Sequence, residues 1–361
     1  MNKNLIKNYN ASEIEKIVLD LGHKKFRATQ LMNELYSQRK TDFAEMKTLP
    51  GDLRNALAEK YEAGSFAETT KTVSKDGTVK ILFAMHDGNA VETVMIPEIS
   101  NDPERKDRYS LCVSSQVGCS LDCAFCATGK LGFKRNLEAS EIIDQLIYAE
   151  KLIDIKMTNI VYMGMGEPFL NIDNVFKSIR TFSNPSVGLM PAKRITVSTS
   201  GIVPGIEALA DNFKRIKLAI SLHATTDIVR EKIVPAARKW DLKAIGEAIE
   251  YYYHNTKIPL TFEYILFDGL NDSEDDAKRL ARISRRVMSK VNLIPYHSID
   301  FTNPEGIAAE LKPASSRTIM RFADSLRAKK VTTIIRSSSG EDIAAACGQL
   351  AFSKQNTYNA K

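Results

Sequence analysis

From residue 108 to residue 336 one pattern recurs: a short β-branched or aromatic run, then a longer stretch with helical spacing. The candidate strands are 109–115, 158–163, 194–198, 216–222, 259–267, 291–296 and 331–336. Between them apolar residues fall on one helical face, as Ile142, Ile143, Leu146, Ile147 and Leu152 do. Strands joined through helices run parallel, because each return path crosses the sheet as a helix. Six or seven such units predict an α/β fold. They suit a partial (β/α) barrel better than the closed eight-fold form, with functional groups at the C-terminal ends of the strands. Closed barrel topology would bring the last strand near the first, and with it Cys347 near Cys112.

The 361 residues suffice for one such domain and a small appendage. Residues 1–66 read as helical. Ser12 and Glu15 suggest a capping box, followed by Ile14, Ile17, Val18 and Leu21 at helical spacing and by Gly22 as a stop. Phe26, Leu31, Met32, Leu35 and Tyr36 suggest a second helix, and Leu53, Ala56, Leu57 and Tyr61 a third. Lys24, Lys25, Arg27, Arg39 and Lys40 make this appendage basic. Residues 67–104 read as an antiparallel meander, with turns at Asp76-Gly77 and Asp87-Gly88. Residues 105–340 form the core, and 341–361 a C-terminal segment that carries Cys347. The final SKQNTYNAK is expected to fray.

No apolar run reaches the roughly 18 residues a spanning helix needs, and the start lacks a signal-peptide core. The expected location is the cytoplasm. The net charge of +6, from 50 Lys and Arg against 44 Asp and Glu, permits a polyanionic partner without demanding one.

Three of the five cysteines, Cys119, Cys123 and Cys126, fall in the run CSLDCAFC, just after a candidate strand. A secreted disulfide framework would be denser and more even. Three thiolates on one short loop can bind three irons of a 4Fe–4S cube, leaving the fourth iron free for the amino and carboxylate groups of S-adenosylmethionine. Electron transfer from such a cluster yields a 5′-deoxyadenosyl radical. Structural zinc is the competing reading, but it takes four ligands, and neither a second Cys pair nor a nearby His is present.

The loop is a hallmark of the radical S-adenosylmethionine superfamily. MGMGEP (163–168) is similar to the superfamily segment that holds the methionyl amino group, which points to Gly166 and Glu167. VSTS (197–200) and ISLHA (220–224) end strands in small polar residues, and Ser198, Ser221, Leu222 and His223 are the candidate cofactor contacts. Without the cluster these would read as ordinary strand-end residues.

CVSSQVGC, GFKRNL, MGMGEP, STSGIVP, SLHA and DIAAACGQL together resemble the bacterial adenine carbon-2 methyltransferases of 23S ribosomal and transfer RNA, over nearly the whole chain. The resemblance implies that Cys347 takes a methyl from one S-adenosylmethionine, while a second gives the radical that removes a hydrogen from that S-methyl group. The resulting methylene radical adds to adenine, Glu92 accepts the ring proton, and Cys112 attacks the Cys347 sulfur to release the product as a disulfide forms. On sequence alone Glu92 would be a surface residue of an edge strand, Cys112 a buried core thiol and Cys347 a chance surface thiol. His297 stands where the family commonly has Asn, and its imidazole can still hydrogen-bond a cofactor. Pro168 and Asn171 favour the carbon-2 enzymes over the sister carbon-8 group. A radical activase or maturase would not need the Cys112 and Cys347 pair, and a cluster-bearing RNA-binding regulator would not need the cofactor segments.

The implied partners are 23S rRNA and tRNA, with a reducing donor of the flavodoxin-like kind, and the chain is expected to be a monomer. Lys130, Lys134, Arg135, Lys193, Arg194, Lys329, Lys330 and Arg336 are candidate RNA contacts near the mouth. Phe125 and Phe133 are candidate stacking residues, although core packing is the commoner use of either.

Overall fold

The computed structural model describes residues 3–100, 102, 104, 106–336 and 339–351. Helix α1 (Ala11–Asp20) is capped by Asn10. Its side chain accepts from the Glu13 N–H at 3.0 Å, while the Glu13 carboxylate accepts from the Asn10 N–H at 2.6 Å. The box expected at Ser12 and Glu15 therefore sits two residues earlier. Asn caps as well as Ser does, and here Ser12 donates to Asn10 Oδ1 at 2.7 Å. Gly22 follows in the left-handed region, φ +81°. Helix α2 (Phe26–Met32) continues as a wide turn over Asn33–Ser37. Helix α3 (Gly51–Lys60) ends before Tyr61, which pairs with Asn4 in a two-residue parallel ladder.

Ile14, Val18, Leu31, Leu53 and Leu57 are fully buried within this appendage. A buried ion pair fastens it to the core. Lys7 Nζ lies 2.7 Å from Asp144 Oδ1 and also donates to the Ala63 carbonyl. Asp144 Oδ2 accepts from Ser65 N–H at 2.9 Å and Ser65 Oγ at 2.6 Å.

The meander is β1 (Phe66–Val73), β2 (Val79–Met85) and β3 (Ala90–Glu98), with Gly77 and Gly88 at positive φ in its turns. Strand β3 pairs antiparallel with β4 (Arg108–Cys112), placing Val94 opposite Cys112. Over these strands the meander is thus the antiparallel wing of the core sheet. A hairpin of β5 (Gln116–Gly118) and β6 (Phe133–Asn136) brackets the three-cysteine loop. Then come α4 (Ala139–Ile153), β7 (Asn159–Tyr162), α5 (Ile172–Ser183), β8 (Ile195–Thr199), α6 (Val203–Asn212) and β9 (Lys217–Ser221). After them follow α7 (Leu242–Thr256), β10 (Leu260–Leu266), α8 (Glu274–Ser284), β11 (Ser289–Pro295), α9 (Ser316–Ala328) and β12 (Thr333–Ile335).

The ten-stranded sheet has the order β12-β11-β10-β9-β8-β7-β4-β3-β2-β1, and its pairings from β4 through β12 are all parallel. This is the expected partial barrel, with seven parallel strands. It is open: β12 and β1 are its edges, and among the described residues no strand pairing joins last to first. The route expected to bring Cys347 to Cys112 is therefore corrected. The segment after β12 crosses the mouth instead, because its backbone finds partners on both sides. Gly340 N–H donates to Asp76 Oδ2 at 2.9 Å, and Ser74 Oγ donates to Asp342 Oδ1. Further along, Ala127 N–H donates to the Gly348 carbonyl at 2.7 Å and Thr128 Oγ1 to the Leu350 carbonyl at 2.6 Å. SKQNTYNAK lies outside the described residues. Among those described, no helix is long and apolar enough to cross a membrane.

Candidate functional site

The cluster loop begins at a close backbone contact. Gly118 has φ +72°, and a Cβ there would stand 1.7 Å from the Gly132 carbonyl oxygen. That approach, with Cys119 N–H donating to Gly132 O at 3.2 Å, pinches the loop at its neck. Within the loop Cys126 N–H donates to Cys123 O at 3.0 Å, and Asp122 sits at φ +46°. Ala124 N–H reaches the Ile233 carbonyl at 3.0 Å, so the helix Asp227–Ile233 braces the loop from below.

Cys119, Cys123 and Cys126 are all free thiols and line one cavity at the C-terminal ends of the strands. Burial pushes Cys119 up to about 12 and Cys123 well above its ordinary value. Among the described residues no three His, Cys, Asp or Glu side chains converge as a single metal ion requires. A 4Fe–4S cube spreads its thiolates over separate irons and needs no such convergence, so this all-sulfur donor set fits it.

A buried cation adjoins the loop. Arg230 is wholly buried, and its guanidinium donates to the backbone carbonyls of Leu222, at 3.1 Å, and Ser200. Burial lowers it to about 10, and the neighbouring Cys123 and Asp227 oppose that. Sequence reading missed Arg230, since a charged residue on an amphipathic helix ordinarily faces water.

The same cavity is lined by Gly166, Glu167, Ser198, Ser221 and His223. Glu167 joins two strand tips. Its carboxylate accepts from Ser200 N–H at 2.9 Å, Ser200 Oγ at 2.8 Å and Phe169 N–H at 3.1 Å, tying the β7 and β8 tips together. Burial raises it, and the Ser200 and Phe169 donors oppose that. Ser198 and Ser221 place their hydroxyl oxygens 3.4 Å apart. His223, at φ +56°, accepts from Ile265 N–H through Nδ1 at 3.1 Å. Burial, with the Arg230 charge, lowers it to about 3, so the imidazole is neutral and its proton resides on Nε2. Leu222 is fully buried and is not among the cavity-lining residues; its backbone joins Glu263 O and Arg230.

A second, smaller cavity adjoins the first, lined by Cys112, His297, Arg336 and Cys347 among others. His297 therefore lies on this side, with Nδ1 3.3 Å from Glu341 Oε1, and not among the cluster-side residues. Cys347 and Arg336 line both cavities. Cys112 is 8% exposed, and burial followed by the neighbouring Cys347 pushes its thiol up to about 12. Cys347 is reached by solvent within a crowded concavity, which raises its thiol, while the Arg336 charge draws it down. Arg336 acts in the same direction on Cys112 and on buried Glu263 of β10. Glu263 accepts from Asn292 Nδ2 at 2.9 Å and was invisible in the sequence, where it falls inside a strand-like run.

Glu92 is buried in β3, flanked by β2 and β4, rather than exposed on an edge. Burial raises its carboxyl, and Lys80, 3.2 Å away, opposes that. Several basic residues near the mouth are committed to acids: Arg135 to Asp87 at 2.6 Å and Glu141 at 2.7 Å, Lys130 to Asp122 at 2.6 Å. Phe125 is a core residue, edge-on to His223 at 4.7 Å, whereas Phe133 is 45% exposed.

Residues 3–63 match the family described as the ribosomal RNA large subunit methyltransferase N-terminal domain, and residues 113–281 match the radical SAM superfamily. The chain is 41% identical to the dual-specificity RNA methyltransferase RlmN of Geobacter sulfurreducens, over 96% of this chain and 91% of that one. It is 40% identical to the probable dual-specificity RNA methyltransferase RlmN of Akkermansia muciniphila, over 94% and 93%. The crystal structure of a radical SAM methyltransferase from Sphaerobacter thermophilus superposes with a TM-score of 0.87 at 38% identity, covering 96% of this chain and 99% of that one. With both its appendage and its core accounted for, the chain belongs to the RlmN family of dual-specificity RNA methyltransferases, within the radical SAM superfamily.

Proposed function

We propose that this protein methylates carbon 2 of a specific adenine in 23S rRNA and in tRNA, with the methyl group carried on Cys347. The observation that carries this reading is that Cys347 lines both cavities, the one with the three cluster cysteines and the one with Cys112. One thiol at that boundary can receive a methyl group on the cofactor side and be attacked by Cys112 on the other.

Cys119, Cys123 and Cys126 would hold the 4Fe–4S cluster, which with S-adenosylmethionine supplies the 5′-deoxyadenosyl radical. Gly166, Glu167, Ser198, Ser221 and His223 line the cavity where that cofactor would lie, and Leu222 supports them through its backbone. His297 serves the Cys112 side. Cys347 attacks the sulfonium methyl of one S-adenosylmethionine, with Arg336 favouring the thiolate. A second molecule is consumed for the radical, giving two per methylation. Carbon 2 of adenine is electron-poor and is reached only when the base leaves its stack. Glu92 would accept the carbon-2 proton of the methylene-bridged adduct, which returns one electron to the cluster. Cys112 as thiolate then attacks the Cys347 sulfur. The S–S bond forms as the S–CH2 bond breaks, and the electron pair of the broken bond passes to the base, which takes up a proton to complete the methyl group.

Exposed Lys24 and Lys25 of the appendage, residues 1–66, would meet RNA phosphates, and exposed Phe133 offers a ring for an unstacked base. The reading includes a monomer in the cytoplasm and a flavodoxin-like electron donor. Mass spectrometry of ribosomal and transfer RNA from a deletion strain tests it. Loss of 2-methyladenosine from both is expected, and its retention in both overturns the substrate assignment.

A further inference from the structure

Among the described residues Lys80 is the one side-chain partner of the Glu92 carboxylate. Lys80 Nζ stands 3.2 Å from Oε1, while buried Oε2 meets no hydrogen-bond donor among the described residues. The register puts these groups on one face. Leu82 opposes Glu92, Lys80 opposes Val94, and Val94 opposes Cys112, so Lys80, Glu92 and Cys112 share the side of the sheet that carries the mouth. Lys80 Nζ also donates to the Ala344 carbonyl at 3.4 Å, three residues before Cys347. One ammonium thus touches both the carboxylate and the segment that bears the thiol.

Among the described residues the other groups against Glu92 carry no charge. Its N–H donates to Met165 Sδ at 3.3 Å, its carbonyl accepts from Ser114 Oγ at 2.6 Å, and the Ala351 backbone hydrogen-bonds its carboxylate, a smaller influence than Lys80 in the same direction. Burial favours the neutral form of this carboxyl, and Lys80 is the largest influence against it, ahead of the Ala351 backbone. A neutral carboxyl cannot take the ring proton, whose transfer from carbon 2 to a Glu92 oxygen leaves the C–H electron pair with the purine.

We propose that Lys80 is a positioning residue for the proton transfer, keeping Glu92 anionic inside the wall of the mouth and tying it to the Cys347 segment. This rests on reading Glu92 as the proton acceptor.

The test uses anaerobically reconstituted full-length enzyme with an RNA fragment, following methyl transfer from about pH 6 to about pH 9. Glu92→Gln should lose at least ~100-fold in rate at every pH. Lys80→Met should move the acid limb of the profile to higher pH, losing most rate at the acid end and recovering as pH rises. Lys80→Arg should keep the wild-type limb. Lys80→Gln, uncharged and of similar reach, repeats the measurement where the Met variant does not fold. Normal turnover by Glu92→Gln would refute the role of Glu92 itself. An inactive Glu92→Gln beside Lys80 variants with the wild-type profile would overturn the inference alone. So would a loss in Lys80→Met that is uniform across pH and is not restored by Arg.

Discussion

Gly118 and Gly132 meet across the neck of the cluster loop, where a single added carbon on Gly118 would overlap the Gly132 carbonyl oxygen at 1.7 Å. Gly118→Ala also forces a side chain into φ +72°, a strain of about 1–3 kcal/mol before the overlap is counted. The variant should keep the circular dichroism of the fold and lose most of its iron after anaerobic reconstitution. Cys123→Ala should lose the 4Fe–4S absorbance outright. Iron content equal to wild type in both would remove the loop as the cluster site.

Cys112→Ala leaves Cys347 without the thiol that releases product. Incubation with RNA should give a covalent protein–RNA adduct that maps to Cys347 by mass spectrometry. Methylated RNA released at the normal rate would sink the two-thiol scheme.

The Lys7–Asp144 pair is buried on both sides, with 1% of each side chain exposed. Lys7→Met would strand Asp144 as an uncompensated charge, a loss of roughly 3–5 kcal/mol. Denaturant unfolding should show this in the transition that includes the appendage. Replacing Lys16 or Asp20, an exposed pair on α1, should change stability by less than about 1 kcal/mol.

His223 is held neutral down to about 3 in the fold, against 6.5 when free. Below pH 6.5 the unfolded chain therefore binds a proton that the folded chain does not. Stability should rise with pH through this window and fall as pH drops, by up to about 1.4 kcal/mol per unit from this group. Proton NMR should show no titration of the His223 ring between about pH 5 and about pH 8. In His223→Gln the acid-side slope should flatten. An unchanged slope would mean that another group carries it.

The strands and the cluster loop were legible because their signals are local. Apolar periodicity marks each βα unit, and cysteine spacing marks the loop. What escaped depends on pairs far apart in the chain. Arg135 reads as a candidate RNA contact until Asp87, 48 residues away, closes on it. Glu92 reads as an edge residue until β4 covers its strand. Cys347 does reach the side of Cys112, yet by backbone hydrogen bonds to the Ser74–Thr78 turn and to Ala127, which no periodicity announces. Of the segments matched by motif, the glycine turn and the two strand tips converge on one cavity, while His297 falls beside Cys112 instead.

The crossing of the mouth by residues 340–350 also fixes an order of assembly. All twelve labelled strands precede Cys347, so during synthesis the sheet and the cluster loop leave the ribosome before the thiol that bridges the two cavities. A chain cut back to before Gly340 would keep all twelve labelled strands and have nothing to span the opening.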